Sequence, residues 1–176
     1  LSRIPALQRL RFGSKGVTLG AGLLLSRVAT DGRIRRDYPG LAHAISEIST
    51  PPLRNMGTLG GNLLLDTRCN YYNQNYEWRR GINFCMKKEG TICWVAPSSS
   101  RCWAVQSADS VPVLVAMGAK AKLVGPAGER LIPIADIYND DGIAYLRKRP
   151  DELLTEIHLP KLNGWKATYK KLRRRG

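Results

Sequence analysis

Cys69, Cys85, Cys93 and Cys102 are the chain's four cysteines, and they fall within 34 of its 176 residues. Four thiolates so confined could close around one metal centre. Directly before them stands Gly57-Thr58-Leu59-Gly60-Gly61-Asn62. Two adjacent residues without Cβ atoms let the backbone approach an anion closely there, with a hydroxyl and an amide beside them. A metal centre next to a phosphate-bearing cofactor is equipment for electron transfer. Acid–base chemistry finds less support. His43 falls on a predicted helix and His158 on a predicted strand, and no Ser/His/Asp or Cys/His set stands out.

The cysteine positions differ by 16, 8 and 9, so the paired C-x2-4-C knuckles of structural zinc are missing. Disulfides belong to oxidising compartments, and nothing in the sequence signals export. A cubane [4Fe-4S] cluster takes four thiolates at whatever spacing a folded loop can gather. Arg68, Arg79, Arg80, Lys87, Lys88 and Arg101, set against Glu77 and Glu89, offset a cluster's negative charge and favour its reduced form. Tyr71, Tyr72, Tyr76, Trp78, Phe84, Trp94 and Trp103 either shield sulfur from water or form the loop's own small core. Spacing alone ranks iron–sulfur above zinc, and leaves a basic, zinc-stapled binding module open. The glycines alone read as an ordinary tight turn. They match neither the G-x-G-x-x-G nor the G-x4-G-K-[ST] pattern.

The elements that must position these residues read as follows. Gly16 to Gly22 is a short strand bounded by glycines, and Leu23 to Ala29 continues at helical spacing. Leu41, Ala44, Ile45 and Ile48 trace one face of a helix that stops before Pro51-Pro52. From Thr67 to about Val105 periodicity vanishes, and a loop of that length usually carries function. Val111 to Met117 reads as a helix, and Ala119 to Val124 with Glu129 to Pro133 as a hairpin around Gly125-Pro126-Ala127-Gly128. Ala135 to Tyr138 is a helical turn, Leu153 to Leu159 a half-buried strand ended by Pro160, and Trp165 to Leu172 a further strand. The fold class is α+β with a mostly antiparallel second half: one partial domain over residues 1–176, carrying an inserted loop at 67–104.

The formal net charge is +14, from 28 Lys and Arg against 14 Asp and Glu. The positive residues are spread along the chain without a nucleic-acid-binding module, which fits small anionic partners or an acidic redox protein better than nucleic acid. A hydrophobic content of 43% suffices for a real core. With no bilayer-length apolar run and no leader, the expected location is the cytoplasm, away from membranes. Leu1 at one end and Arg173-Arg174-Arg175-Gly176 at the other read as cuts from something longer.

Val17-Thr18-Leu19-Gly20-Ala21-Gly22, the run Pro51 to Leu63 and the run Gly118 to Gly125 resemble the FAD-binding subunit of the molybdenum hydroxylases. Asp66 to Gln74 and the cysteine spacing resemble more specifically the β subunit of 4-hydroxybenzoyl-CoA reductase, in which an inserted loop carries an extra [4Fe-4S] cluster. The resemblance implies a vanillyl-alcohol-oxidase-like FAD-binding domain (PCMH type), with the cysteines as cluster ligands. It gives the FAD pyrophosphate to Thr58, Leu59, Gly60 and Gly61 with Asn62 beside them, and a further FAD contact to Asp109. The flavin ring goes to Leu153 and Leu154, and its lysine to Lys170 or Lys171. It also implies a molybdopterin-binding large subunit, a [2Fe-2S] small subunit and a low-potential donor such as ferredoxin. Electron flow runs toward molybdenum in a reductase, or outward through FAD in a xanthine- or aldehyde-type dehydrogenase. The family's first glycine-rich FAD loop and its C-terminal domain fall outside this sequence, so the 176 residues alone are expected to hold FAD weakly or not at all.

Overall fold

The computed structural model describes residues 1 and 3–173 and divides them into two compact units. The first comprises residues 1–64, 108–137 and 148 onward. It opens with a 3-10 turn at Pro5–Gln8 and two strands, β1 (Leu10–Gly13) and β2 (Gly16–Gly20). Helices α1 (Leu25–Thr30), α2 (Gly32–Asp37), α3 (Pro39–Ser46), α4 (Pro51–Arg54) and α5 (Leu59–Leu63) follow. Short elements need local help to start. The Asp31 carboxylate accepts from the N–H groups of Arg33 and Ile34 at 2.9 and 3.1 Å, capping α2. Proline opens α3 and α4, where a missing N–H costs nothing. Pro51-Pro52 thus both ends the reach of α3 and begins α4.

In the second unit, residues 65–107 with 138–147, the one helix among the described residues is α6 (Tyr76–Gly81), capped by Asn75 on the Trp78 N–H at 2.9 Å. The first unit resumes with α7 (Ser110–Ala116), β3 (Lys120–Gly125), β4 (Gly128–Pro133), a 3-10 turn at Ile134–Ile137, and β5 (Leu153–Pro160).

The five strands form one antiparallel sheet in the order β1-β2-β5-β3-β4. Hydrophobic alternation sets its register. Leu10, Leu19, Ile157, Ala121 and Ile132 lie in one row across the sheet, and the next row is Arg11, Thr18, His158, Lys120 and Pro133. Leu19, Ala121 and Ile157 are wholly buried, whereas Arg11 and Lys120 are exposed. A one-residue slip would exchange the two rows. Ile34, Leu41, Ala44 and Ile45 from α2 and α3, Leu59 and Leu63 from α5, and Leu114 from α7 are also fully buried. Each such Leu or Ile contributes about 1.5–3 kcal/mol, against about 0–1 kcal/mol for an exposed ion pair. Apolar packing therefore holds the unit, and the many surface Arg–Glu pairs adjust it.

Glu152 is the exception among the charges, because its side chain is only 2% exposed. Arg130 forks onto it at 2.7 and 2.9 Å and the Arg149 N–H donates at 2.7 Å. The guanidinium first, and then that N–H, outweigh burial and bring the carboxyl down to about 2. This clamp fixes the residue directly before Leu153 and Leu154.

Strand β1 and helix α2 went beyond the sequence reading, and one expected strand did not form. Arg11 in β1 and Arg33, Arg35 and Arg36 in α2 hid the alternation of Leu10 and Phe12 and the buried Ile34. Residues 165–172 form no strand. Both flanks of β5 are taken by β2 and β3, and Trp165 and Leu172 stay exposed, so no apolar face draws the segment into a sheet. It is pinned by side chains instead. Arg174, Arg175 and Gly176 lie outside the described residues.

The second unit contains little repetitive structure, as its lost periodicity implied. Its ends are tied by paired hydrogen bonds between Arg68 and Val105, at 2.8 and 2.9 Å. Lys87 and Gly142 tie its interior. The Lys87 ammonium donates to the Asp66 carboxylate at 2.7 Å, the Gly142 carbonyl at 3.0 Å and the Thr67 carbonyl at 3.3 Å, and also to the Thr67 hydroxyl. The Gly142 N–H donates to the Cys102 carbonyl at 2.8 Å. A Cβ on Gly142 would lie 2.7 Å from Cys102 Sγ and 2.8 Å from Ala104 Cβ, so only glycine allows the 138–147 segment to close here. No helix among the described residues is long and apolar enough to cross a membrane.

Candidate functional site

The first unit carries a cleft of about 600 Å³, within the usual range for a small-molecule or cofactor site. The turn after β2, the start of α5 and the start of β5 form its walls. Thr58 caps α5 by accepting from the Gly61 N–H at 3.1 Å. Gly60 lets that turn press against Ala21, since a Cβ there would sit 2.7 Å from Ala21 Cβ and 2.9 Å from its carbonyl oxygen. Gly61 has no such crowding, with Thr58 Oγ1 at 3.0 Å as the one neighbour of an added Cβ. Thr58, Gly60, Gly61, Leu153 and Leu154 all line the cleft. Beside the two leucines the β2–β5 ladder runs one residue past Gly20, the Ala21 N–H donating to the Thr155 carbonyl at 2.9 Å. That bond ties the leucine wall to the glycine wall.

Free backbone donors, expected at the glycine turn, are not what it offers. The Leu59 N–H donates to Leu23, the Gly60 N–H to Ala21, and the Gly61 N–H to the Thr58 hydroxyl. The turn contributes a close, Cβ-free wall and the Thr58 hydroxyl. Arg27 of α1, the one lysine or arginine lining the same cleft among the described residues, supplies the positive charge.

The remaining flavin candidates stand away from this wall. The Leu59 side chain is fully buried, and Asn62, 6% exposed, accepts from the Ser110 hydroxyl at 2.5 Å, so both hold α5 from behind. Asp109 accepts from the Tyr169 hydroxyl at 2.7 Å and from Lys171 at 2.8 Å, and is absent from the cleft lining. Burial first, and then the Asp109 bond, raise the Tyr169 phenol well above its ordinary value. Lys171 also reaches the Glu47 carbonyl at 3.2 Å, while Lys170 is exposed. This cluster pins the C-terminal segment. The two histidines make ordinary contacts, His158 with Glu156 at 2.9 Å and His43 edge-on to Tyr169.

In the second unit, Cys69, Cys85, Cys93 and Cys102 all line one small cavity, with Tyr71, Tyr72, Lys87 and Trp94 among its walls. Three are buried, Cys69 is half-buried, and all four are free thiols. Burial pushes the Cys93 thiol up, but N–H groups of Trp103, Ala96 and Val95, with the Arg101 guanidinium, outweigh it and bring the thiol below its ordinary value. Burial wins at Cys102, which is raised although the Ala104 N–H donates to its sulfur at 3.4 Å. Among the described residues no three His, Cys, Asp or Glu side chains are placed to hold a single metal ion. A lone zinc needs four sulfurs at about 2.3 Å from one point.

Residues 1–162 match the family described as the FAD binding domain in molybdopterin dehydrogenase. The chain belongs to this family. Among curated proteins the chain is similar to the aldehyde oxidoreductase FAD-binding subunit PaoB of Escherichia coli. It is 33% identical over 172 residues, which cover 91% of this chain and 53% of the relative. The glyceraldehyde dehydrogenase medium chain of Sulfolobus acidocaldarius is 25% identical, over 99% of this chain and 48% of its own length. The chain thus spans about half the length of the curated relatives it matches. In fold it is similar to a chain of the carbon monoxide dehydrogenase of Hydrogenophaga pseudoflava. The TM-score is 0.67 at 21% identity, over 99% of this chain and 47% of the other.

Three residues of this molybdopterin dehydrogenase domain escaped the sequence reading of the sites. Arg27 sat inside a predicted helix with nothing to mark its exposed face. Lys87 was counted as one of six loop cations, though it alone among the loop's lysines is buried. Gly142 lies 40 positions beyond Cys102, and no local pattern links it to the cysteines.

Proposed function

We propose that the chain is the flavin-binding part of an oxidoreductase subunit that passes electrons between FAD in the cleft, a [4Fe-4S] cluster on the four cysteines, and cofactors on partner subunits. The observation that carries this reading is the gathering of all four thiols around one cavity in a chain of a FAD-binding family. Thr58, Gly60 and Gly61 would form the wall for the pyrophosphate, Arg27 would supply its counter-charge, and Leu153 and Leu154 would keep water from the flavin ring. FAD supplies two-electron or one-electron exchange when bound. Leu59, Asn62 and the Asp109–Lys171 pair brace the walls. No side chain of this chain is needed as acid or base. The partners would be a molybdopterin-binding large subunit and a [2Fe-2S] small subunit.

The names of the relatives, an aldehyde oxidoreductase and a glyceraldehyde dehydrogenase, favour outward flow, with substrate oxidised on the partner and electrons leaving through this subunit. The cysteine cavity gives weight to a second reading, a 4-hydroxybenzoyl-CoA reductase-like enzyme fed by a low-potential donor such as ferredoxin. Anaerobic addition of an aldehyde to the purified complex is expected to bleach the flavin absorption within turnover time. Bleaching by reduced ferredoxin alone, with aldehydes inert, supports the reductive reading instead. A complex without flavin contradicts both.

A further inference from the structure

Lys87 lines the cysteine cavity with its side chain only 7% exposed, and its ionic partner Asp66 is 51% exposed. The pair is therefore unequal. Water screens the carboxylate, while the ammonium acts through a nearly dry wall where charge is felt more strongly. The other acceptors of Lys87 are neutral carbonyl and hydroxyl oxygens of Thr67 and Gly142, and the Tyr72 ring lies 4.7 Å away. One hydrogen bond goes to the Asp66 carboxylate, and the others go to neutral oxygens that satisfy N–H groups without adding negative charge. Three other loop cations are better hydrated: Lys88 and Arg80 have side chains 52% and 69% exposed, and Arg101, 34% exposed, is paired with Asp140 at 2.7 Å.

We propose that Lys87 is a positioning residue that sets the reduction potential of the metal centre on the four cysteines, its buried and only partly screened charge favouring the reduced state. This rests on the cluster reading above. Reduction adds one electron and one negative charge to the centre, and no bond is broken. A cation fixed in the cavity wall therefore stabilises the reduced form more than the oxidised form.

The test is a redox titration of the full-length protein, poised with dithionite and followed by visible absorption and electron paramagnetic resonance. Lys87→Gln keeps a hydrogen-bond donor and removes the charge. It is expected to lower the equilibrium constant for one-electron reduction at least tenfold, a shift of about 59 mV to more negative potential, with iron and sulfide per chain unchanged. Lys87→Arg should stay near the wild-type potential. Asp66→Asn keeps an oxygen for the Thr67 N–H, which donates to Asp66 at 2.8 Å. It should move the potential in the positive direction. A Lys87→Gln protein with a full centre and the wild-type potential overturns the inference. If that variant loses its iron, Asp66→Asn decides, and an unmoved or more negative potential overturns it. Wild-type protein without iron and sulfide sinks the cluster reading itself, and the role of Lys87 with it, before any potential is measured.

Discussion

Replacing Cys85 with serine is expected to remove most of a broad brown absorption and to lower iron from about four atoms per chain to fewer than one. Cys85 is 6% exposed and lines the cavity with the other three cysteines. Its carbonyl accepts from the N–H groups of Lys88 and Gly90 at 2.8 and 3.0 Å, and serine preserves that turn. The fold should survive while one thiolate is lost, which separates ligation from folding. Flavin content is the internal control, because the cleft belongs to the other unit and should keep its cofactor. Unchanged colour and iron in the variant would show that Cys85 is an ordinary buried thiol.

The second large effect is expected at Gly60. An alanine there places a Cβ 2.7 Å from Ala21 Cβ and 2.9 Å from the Ala21 oxygen, where backbone must move. Overpacking of this kind costs about 1–3 kcal/mol. Because Ala21 and Gly60 are both cleft wall, FAD affinity of the full-length protein should fall at least tenfold. Gly61→Ala provides the contrast, since its added methyl meets a side-chain hydroxyl and otherwise points into open cleft. Its melting temperature should stay within a few degrees of wild type while FAD affinity still falls. Thermal melts and flavin titrations of both variants check this. Normal FAD binding by Gly60→Ala would place the cofactor elsewhere.

The sequence disclosed the elements whose apolar residues repeat at a clear period. Val17 and Leu19 marked a strand, Leu41, Ala44 and Ile45 a helix, Ala121, Leu123 and Ile157 the hairpin and central strand, and each is now found buried. β1 and α2 stayed hidden because arginines interrupt their short apolar patterns. The segment 165–172 misled because both flanks of the preceding strand β5 are already paired, and Trp165 and Leu172 find no apolar face to cover. For the cleft, the paired glycines and paired leucines were visible as unusual neighbours in sequence. The role of the glycines was not, because whether an N–H is free depends on Leu23 and Ala21 opposite it, far outside any local window. Arg27, Lys87 and Gly142 were missed for the same reason. Each matters through what the fold brings against it, and a lysine's burial or a glycine's crowding leaves no trace in spacing.

The central claim is tested most directly by counting iron, acid-labile sulfide and zinc in the full-length protein purified without oxygen. About four iron and four sulfide per chain, with negligible zinc, is the result expected for a cubane on Cys69, Cys85, Cys93 and Cys102. One zinc per chain with no sulfide, or no metal at all, would contradict it.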